Sequence, residues 1–237
     1  MNSVLAYAGI ARASGQFVAF LDSDDLWFPE KLTTQVSFFK RHPEALICQT
    51  EEIWVRNGVR VNPKARHSKP SGMVFEPSLE LCLVSPSAVM MQRGLLNEVG
   101  WFDEMLPACE DYDLWLRIAC RFPIYLIDTP LIIKRGGHQD QLSRQPGLDR
   151  YRIYALAKIL ESPPECGLTA MQRQAAVEAL SKKCAIYAAG CLKRGRVDEA
   201  HKYATLPARF HDRDPLAQPV ANETPSRKPL TQSGRAL

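Results

Sequence analysis

Three carboxylates follow a short apolar run near the beginning of the chain, in the sequence FVAFLDSDD at 17–25. Asp22, Asp24 and Asp25 would repel one another unless a cation, or the phosphates bound to one, balanced their charge. The apolar run is typical of a strand buried on both faces of an α/β sheet, and ligands of such sheets bind beyond the carboxyl ends of the strands. The stretch therefore predicts a substrate or metal site. A solvated Asp-rich turn, or a cap of the next helix, would have the same composition.

A second acidic pair, Glu110 and Asp111, comes directly before apolar residues at helical spacing, among them Leu114, Trp115 and Ile118. The pair is therefore predicted at a helix N-terminus, where the helix dipole stabilises negative charge. Carboxylates in this position can act as a general base or simply cap the helix.

The elements that must position these acids alternate between helices and strands. The apolar spacing and the turn signals predict strands at 16–21, 45–50, 53–55, 59–61, 88–91, 124–127 and 131–133. Asn57 and Gly58 form a typical hairpin turn between two of these strands. Helices are predicted at 3–13, from Pro29 to His42, and at 78–83, 93–99, 111–121, 151–160, 169–192 and 197–204. The fold class is therefore α/β.

The composition restricts the class of protein. Of 237 residues, 46% are hydrophobic and 24% charged, as is usual for a soluble globular protein. We expect no transmembrane segment, because no run of about 18 apolar residues occurs, and the first residues do not resemble a signal peptide. Seven cysteines without a C-x-x-C pair favour reduced thiols in a cytoplasmic protein. The net charge of +4 permits contact with anionic lipid or phosphorylated ligands and does not indicate nucleic acid.

Three regions are predicted along the chain. An α/β domain occupies 1–146, a helical appendage 147–206, and a Pro-, Arg- and Ser-containing tail, expected to be disordered, 207–237. The basic helical region is compatible with peripheral contact at a membrane.

Read together, these stretches resemble the family-2 glycosyltransferases, which have the nucleotide-diphospho-sugar transferase (GT-A) fold. The resemblance covers residues 3–142, and several short motifs carry it in a fixed order. They are Gly9-Ile10, ASG at 13–15, FLDSDDLW at 20–27, PEKL at 29–32, Gln35, SPS at 85–87, VGWFDE at 99–104, EDYDLWLR at 110–117, and His138.

The resemblance implies an inverting transfer of a sugar from a nucleotide-diphospho-sugar to a hydroxyl of a saccharide or lipid-linked acceptor. It implies that Asp24, with Asp22 and His138, holds Mn²⁺ or Mg²⁺, and that Asp111, assisted by Glu110, is the base. Substrate contacts are expected from Asp22, Asp25, Trp27, Ser85, Ser87 and Asp113. By analogy, such an enzyme would build surface polysaccharide or glycolipid in the cytoplasm, at the inner face of the membrane.

The sequence departs from the family at its beginning. The family normally starts with a strand, a turn and a further strand and helix that hold the nucleotide base, and at least one such βαβ unit has no counterpart here. We therefore expect an incomplete GT-A sheet. A catalytically impaired remnant that binds a partner is the alternative function. A nucleotidyltransferase would need a glycine-rich basic loop near its start, and the sequence has none.

Overall fold

A computed structural model describes residues 3–137, 146–163 and 167–211 of the chain. Within this part, six strands form one mixed sheet in the order β1-β5-β3-β6-β2, and β4 pairs with β3 as a hairpin. The strands are β1 (Phe17–Ala19), β2 (Leu26–Trp27), β3 (Ile47–Arg56), β4 (Val59–Val61), β5 (Met90–Gln92) and β6 (Tyr125–Gly136). The predicted α/β class is confirmed.

Two long strands, β3 and β6, form the parallel centre of the sheet, and the other pairs are antiparallel. The sequence predicted separate strands at 124–127 and 131–133, but β6 is continuous. Its register against β3 shifts next to Glu51, which pairs with Pro130. Because proline cannot donate to a strand ladder, this irregularity lets the strand continue past it. The predicted hairpin is confirmed, with Asn57 and Gly58 at positive φ.

Strand β1 is shorter than predicted and lies at one end of the described strand order, paired with β5. Val18 is buried, while Phe17 and Ala19 are half-buried. The prediction of a strand buried on both faces is therefore wrong for the described part of the sheet. Phe17 instead packs against Phe39 of the next helix, with ring centroids 4.8 Å apart.

Helices cover the sheet and make up the second half of the chain. They are α1 (Ser3–Arg12), α2 (Lys31–Arg41), α3 (Phe75–Glu80), α4 (Arg93–Val99), α5 (Glu110–Ala119), α6 (Asp149–Glu161), α7 (Ala170–Leu192), α8 (Val197–Thr205) and α9 (Ala208–His211). Short 3₁₀ turns occur at Ala65–His67 and Pro86–Ala88. No described helix is both long and apolar enough to span a bilayer.

The C-terminal helices share one hydrophobic core with the sheet and α5. Leu156 of α6 and Leu180 of α7 are buried in the same cluster as Trp115 of α5. Thr169 and Gln172 form a capping box at the start of α7, and the Gln172 amide also donates to the Cys120 carbonyl. Helix α9 lies inside the region that we expected to be disordered, and its Phe210 is buried. The proposed boundary at 146/147 stays a prediction.

Candidate active site

A cavity of about 440 Å³ lies between the Asp-rich turn after β1, the start of α5, and the outer ends of β3 and β6. Asp22, Glu110 and Asp111 line one side of it, and we call these three residues the acidic wall. They come from two motifs that are far apart in the sequence. The structure therefore brings the two predicted acidic motifs together at one site.

The Asp-rich turn is fixed by hydrogen bonds to two other segments. The Asp25 N–H donates to the Asp22 carbonyl over 3.0 Å, and the Asp22 N–H donates to the Ser87 hydroxyl over 3.0 Å. The Asp25 carboxylate accepts from the Arg135 N–H at 3.0 Å and from the Ser87 hydroxyl. Burial nonetheless raises the pKa of Asp25, because these bonds only partly offset the loss of water. Asp25 and Ser87 thus hold the turn and are not among the described lining residues.

Trp27 also supports the Asp-rich turn, through a contact with Ser87. Its indole N–H donates to the Ser87 carbonyl over 2.9 Å, and the Lys31 ammonium lies 4.2 Å from the ring centroid. Lys31 is fully buried and donates to Gln35, whose amide in turn donates to the Ala88 carbonyl. Burial lowers the pKa of Lys31 to about 8. This part of the family motif therefore builds the support of the site rather than its surface.

The second acidic motif begins α5. Cys109, directly before the helix, adopts a left-handed conformation with φ 61°, which turns the chain into the first helical residue. Glu110 is 3% exposed and Asp111 is half-buried. The Asp111 Oδ1 accepts from the Tyr112 N–H at 2.8 Å, and the Cys82 thiol lies 3.6 Å from Oδ2. Both oxygens of Asp111 are therefore oriented by hydrogen-bond donors.

Burial and repulsion by nearby carboxylates make Glu110 and Asp111 more basic than usual. Burial, and then the charge of Asp111, raise the pKa of Glu110 to about 7. Burial also raises the pKa of Asp111, and the charge of Asp22 adds to the increase. A carboxylate with a raised pKa is a better proton acceptor near neutral pH. The arrangement thus suits general-base chemistry.

Asp113 lies on another face of α5, because two residues along a helix correspond to a rotation of about 200°. Its carboxylate, 2% exposed, is 2.8 Å from the Arg117 guanidinium and 3.1 Å from the Lys158 ammonium. Arg117 also donates to the carbonyls of Val99, Gly100 and Trp101. Asp113 therefore anchors the loop before α5 and is not part of the described cavity lining.

A second group of lining residues is basic and aromatic, and sequence reasoning did not identify it. Glu52, Trp54 and Arg56 alternate along β3, so their side chains project from one face of the strand, and Lys134 pairs in register with Trp54 on β6. Lys69 approaches from the loop before α3. We call these five residues the basic floor. The sequence did contain one signal for this group: Glu52, Trp54 and Arg56 occupy alternate positions before the predicted hairpin turn and therefore share one face of a strand.

Glu52 is held ionised by its neighbours in the basic floor. Its carboxylate is 2.8 Å from Lys69 and 3.6 Å from Lys134, and it accepts from the Trp54 indole N–H at 2.8 Å. Burial disfavours the charge of Glu52, but the two lysines outweigh burial and lower its pKa to about 2.

A divalent cation fits the chemistry of the Asp-rich turn. Burial raises the pKa values of Asp25, Glu110 and Asp111, and the charge of Asp22 adds to each increase, so these carboxylates repel one another and a cation would offset that repulsion. Asp22 and half-buried Asp24 offer the oxygen ligands that Mg²⁺ accepts together with water and substrate phosphates. No group of three candidate metal-ligating side chains occurs within the described ranges. His138, the third predicted ligand, lies outside them.

Comparison with known proteins gives a family match for part of the chain. Residues 6–100 match the sequence profile described as glycosyl transferase family 2. This stretch belongs to that family. Among relatives, the chain is 28% identical over 153 residues to a glycosyltransferase of Rickettsia conorii, which covers 61% of the chain and 24% of the relative. It is 32% identical over 117 residues to the Escherichia coli enzyme WfgD, named as a UDP-Glc:α-D-GlcNAc-diphosphoundecaprenol β-1,3-glucosyltransferase. This match covers 49% of the chain and 42% of WfgD.

The fold is that of GT-A glycosyltransferases. The structure of Staphylococcus aureus TarS 1–349 in complex with UDP-GlcNAc matches 90% of the chain and 73% of that protein, with a TM-score of 0.55 and 15% identity. A second structure of TarS 1–349 matches 73% of the chain and 48% of that protein, with a TM-score of 0.52 and 20% identity. The chain spans about a quarter of the length of the Rickettsia conorii relative and less than half of WfgD.

Proposed function

We propose that this protein transfers a sugar from a nucleotide-diphospho-sugar to an acceptor hydroxyl with inversion, using Asp111 as the base. The observation that carries the proposal is the placement of Asp111. It lies in the same cavity as Asp22 of the Asp-rich turn, its pKa is raised by burial, and both of its oxygens are oriented by donors. UDP-Glc, the donor in the name of WfgD, and UDP-GlcNAc, the ligand of the TarS complex, are the first donors to test.

The chain's own groups account for each step of an inverting transfer. The Asp111 carboxylate accepts the proton of the acceptor hydroxyl, and the hydroxyl oxygen forms a bond to the anomeric carbon of the donor sugar. The bond from that carbon to the nucleotide diphosphate breaks, and its electron pair leaves with the diphosphate oxygen. Attack from the side opposite the leaving group inverts the anomeric centre. Glu110, with a pKa of about 7, is partly protonated at neutral pH, which limits its repulsion of an ionised Asp111.

Asp24 and Asp22 would hold Mn²⁺ or Mg²⁺ in this proposal, with His138 as a further candidate. Such a cation neutralises the negative charge that develops on the leaving diphosphate. Ser85 lines the cavity beside these groups, where its hydroxyl accepts from the Lys134 ammonium at 3.1 Å. The role in surface polysaccharide or glycolipid synthesis and the location at the inner membrane face stay predictions.

Two measurements on matched variants test the proposal. The first is thermal unfolding with Mn²⁺ and, in turn, UDP, GDP, dTDP and CDP. A nucleotide at 100 times its dissociation constant should stabilise the folded chain by about 2.7 kcal/mol. We expect Asp24→Asn to remove this shift and Asp111→Asn to retain it. Asp128→Asn, which removes an exposed carboxylate from β6, is the control.

The second measurement is release of the nucleotide diphosphate from UDP-Glc or UDP-GlcNAc in the presence of candidate saccharide acceptors. Asp111→Asn should lower the rate about 10³-fold, within the range for loss of a general base. Full transfer by both Asp24→Asn and Asp111→Asn would refute the site assignment. Metal-independent partner binding without nucleotide binding would favour the alternative, a remnant that acts as a binding module.

A further inference from the structure

The loop that joins α4 to α5 leads directly into the second acidic motif. We call it the entry loop, residues 100–109. It contains a turn of its own, in which the Asp103 carboxylate accepts from the Met105 N–H at 3.0 Å. Its last residue, Cys109, lines the cavity together with Asp111. The position of the entry loop therefore affects where Asp111 enters the cavity.

A lysine of α6 binds the middle of the entry loop. The Lys158 ammonium is 2.6 Å from the Asp103 carboxylate, which also accepts from the Tyr154 hydroxyl at 3.3 Å. Burial disfavours the charge of Asp103, but hydrogen bonds from Lys158 and from the Met105 N–H outweigh burial and lower its pKa. The carboxylate is therefore ionised at neutral pH, and the loop is fastened to α6 by a charged hydrogen bond.

The same ammonium reaches the first turn of α5. Lys158 is 3.1 Å from the carboxylate of Asp113, whose side chain is 2% exposed. Arg117 binds that carboxylate at 2.8 Å and donates to the Trp101 carbonyl of the entry loop at 2.8 Å. The two cations therefore tie α5 to the entry loop at two points, Trp101 and Asp103.

These ties can act on Asp111 although they lie on another face of α5. Asp111 and Asp113 belong to one helical turn, and the Asp113 N–H donates to the Cys109 carbonyl at 3.1 Å. Helix α6 is a fixed support, because its Leu156 is buried in the same hydrophobic cluster as Trp115 of α5. A displacement of about 1 Å in a reacting group can lower a rate about 100-fold. A small movement of this turn would therefore be visible in the rate.

We propose that Lys158 is a positioning residue for sugar transfer. By binding Asp103 and Asp113 together, its ammonium holds the entry loop and the first turn of α5 in the arrangement that directs Asp111 into the cavity. Lys158 is not among the described residues that line the cavity, so it acts through Asp111 and not on the substrate. The proposal rests on the function proposed above and gives the predicted helical appendage, 147–206, a part in it.

The first test is steady-state transfer from UDP-Glc or UDP-GlcNAc. Lys158→Met should lower kcat about tenfold and change the KM of the donor less than about twofold, because the donor is proposed to bind at the Asp-rich turn. Asp103→Asn should also lower kcat, and the double variant should lose no more than Lys158→Met alone, because both changes remove the same contact. Arg209→Met, which removes an exposed cation 3.1 Å from Glu161 at the end of α6, is the control and should change neither constant.

The second test is hydrogen exchange of the protein without donor, read by mass spectrometry, and it does not depend on activity. Peptides that cover 100–113 should exchange about tenfold faster in Lys158→Met than in the wild-type protein, and those of α7 should not change. Asp113 keeps Arg117 in this variant, so we expect it to fold, and thermal unfolding checks this. If it does not fold, Asp103→Asn is measured in its place.

Four results would overturn the positioning role. They are an unchanged kcat, a loss of kcat/KM that comes from KM alone, losses that multiply in the double variant, and unchanged exchange at 100–113. Faster exchange in α7 as well as in the entry loop would assign Lys158 to global stability. If the wild-type protein transfers no sugar, the function proposed above fails. Faster exchange confined to 100–113 would then still support the tie through Lys158.

Discussion

Two buried glutamates face the same cavity and behave in opposite ways. Glu110 in the acidic wall has a pKa raised to about 7, by burial and by Asp111 beside it. Glu52 in the basic floor is also buried, yet Lys134 and Lys69 lower its pKa to about 2. Burial disfavours the charge of both glutamates, so the difference comes from the neighbours, which are a carboxylate beside Glu110 and two ammonium groups beside Glu52. Glu110 is thereby able to take up a proton near neutral pH, whereas Glu52 stays ionised.

The largest effect should come from removing one partner of the buried ion pair in the basic floor. Lys69→Met leaves the Glu52 carboxylate buried with Lys134 at the longer distance of 3.6 Å. We expect the free energy of unfolding to fall by about 4 kcal/mol, as is usual when one charge of a buried pair is removed. Urea unfolding at pH 7 measures the change.

The matched control for Lys69→Met is an ion pair on the surface. Lys182 and Glu80 are 2.5 Å apart with side chains 60% and 62% exposed. Lys182→Met should therefore cost about 0.5 kcal/mol or less. Equal losses in the two variants would contradict the distinction between the floor and the surface.

A substitution of Glu110 in the acidic wall should stabilise the protein, whereas Lys69→Met destabilises it. The pKa of Glu110 is about 7 in the folded chain and near 4.5 when unfolded, so folding is penalised as pH rises from 4.5 to 7 and stays penalised above. Glu110→Gln removes the penalty and should stabilise the protein at pH 8 by up to about 3 kcal/mol. The gain should vanish at pH 4, where the carboxyl is protonated in both states. Thermal unfolding at pH 4 and pH 8 measures the gain, and Glu104→Gln, at an exposed position, is the control. A gain that does not depend on pH would contradict the raised pKa of Glu110.

Glu52→Gln, in the basic floor, should have the opposite effect on stability and a different pH dependence. The folded pKa of Glu52, about 2, lies below the unfolded value of 4.5, so its stabilisation is present above pH 4.5 and lost as pH falls toward 2. The variant should lose about 2 kcal/mol at pH 7, because charged hydrogen bonds to two lysines are weakened. The difference from wild type should shrink on acidification. A constant difference between pH 7 and pH 3 in urea unfolding would show that packing, not charge, explains the loss.

Sequence reasoning identified the acidic wall because its parts lie in short local motifs. The Asp-rich turn and the start of α5 each occupy a few adjacent residues, and their order gave the resemblance to family-2 glycosyltransferases before any contact was known. The basic floor was missed because Lys69 and Lys134 meet only through the pairing of β3 with β6, and that register depends on the irregularity at Glu51.

The directions of individual side chains also could not be predicted from residue type. Asp25 and Asp113 were grouped with the substrate contacts because they belong to acidic motifs. In the structure, Asp25 accepts hydrogen bonds from Arg135 and Ser87, and Asp113 pairs with Arg117 and Lys158. The rotation of a helix would have separated Asp113 from Asp111 in advance. The partners of Asp25 required the fold.

The smallest predicted effect concerns the contact that orients the base. The Cys82 thiol is 3.6 Å from the Asp111 Oδ2 and 3.4 Å from the Val84 carbonyl, so its single proton has two acceptors. A thiol is a weak donor, and burial raises the pKa of Cys82 well above its usual value, so the proton stays on sulfur. Cys82→Ala should lower sugar transfer about two- to threefold, as expected for one weak hydrogen bond. Because the lost donor favoured the ionised carboxylate, the acid limb of the pH–rate profile should move upward. Cys82→Ser, which keeps a donor, should restore the limb, whereas a lower rate with an unmoved limb in both variants would assign Cys82 to packing alone.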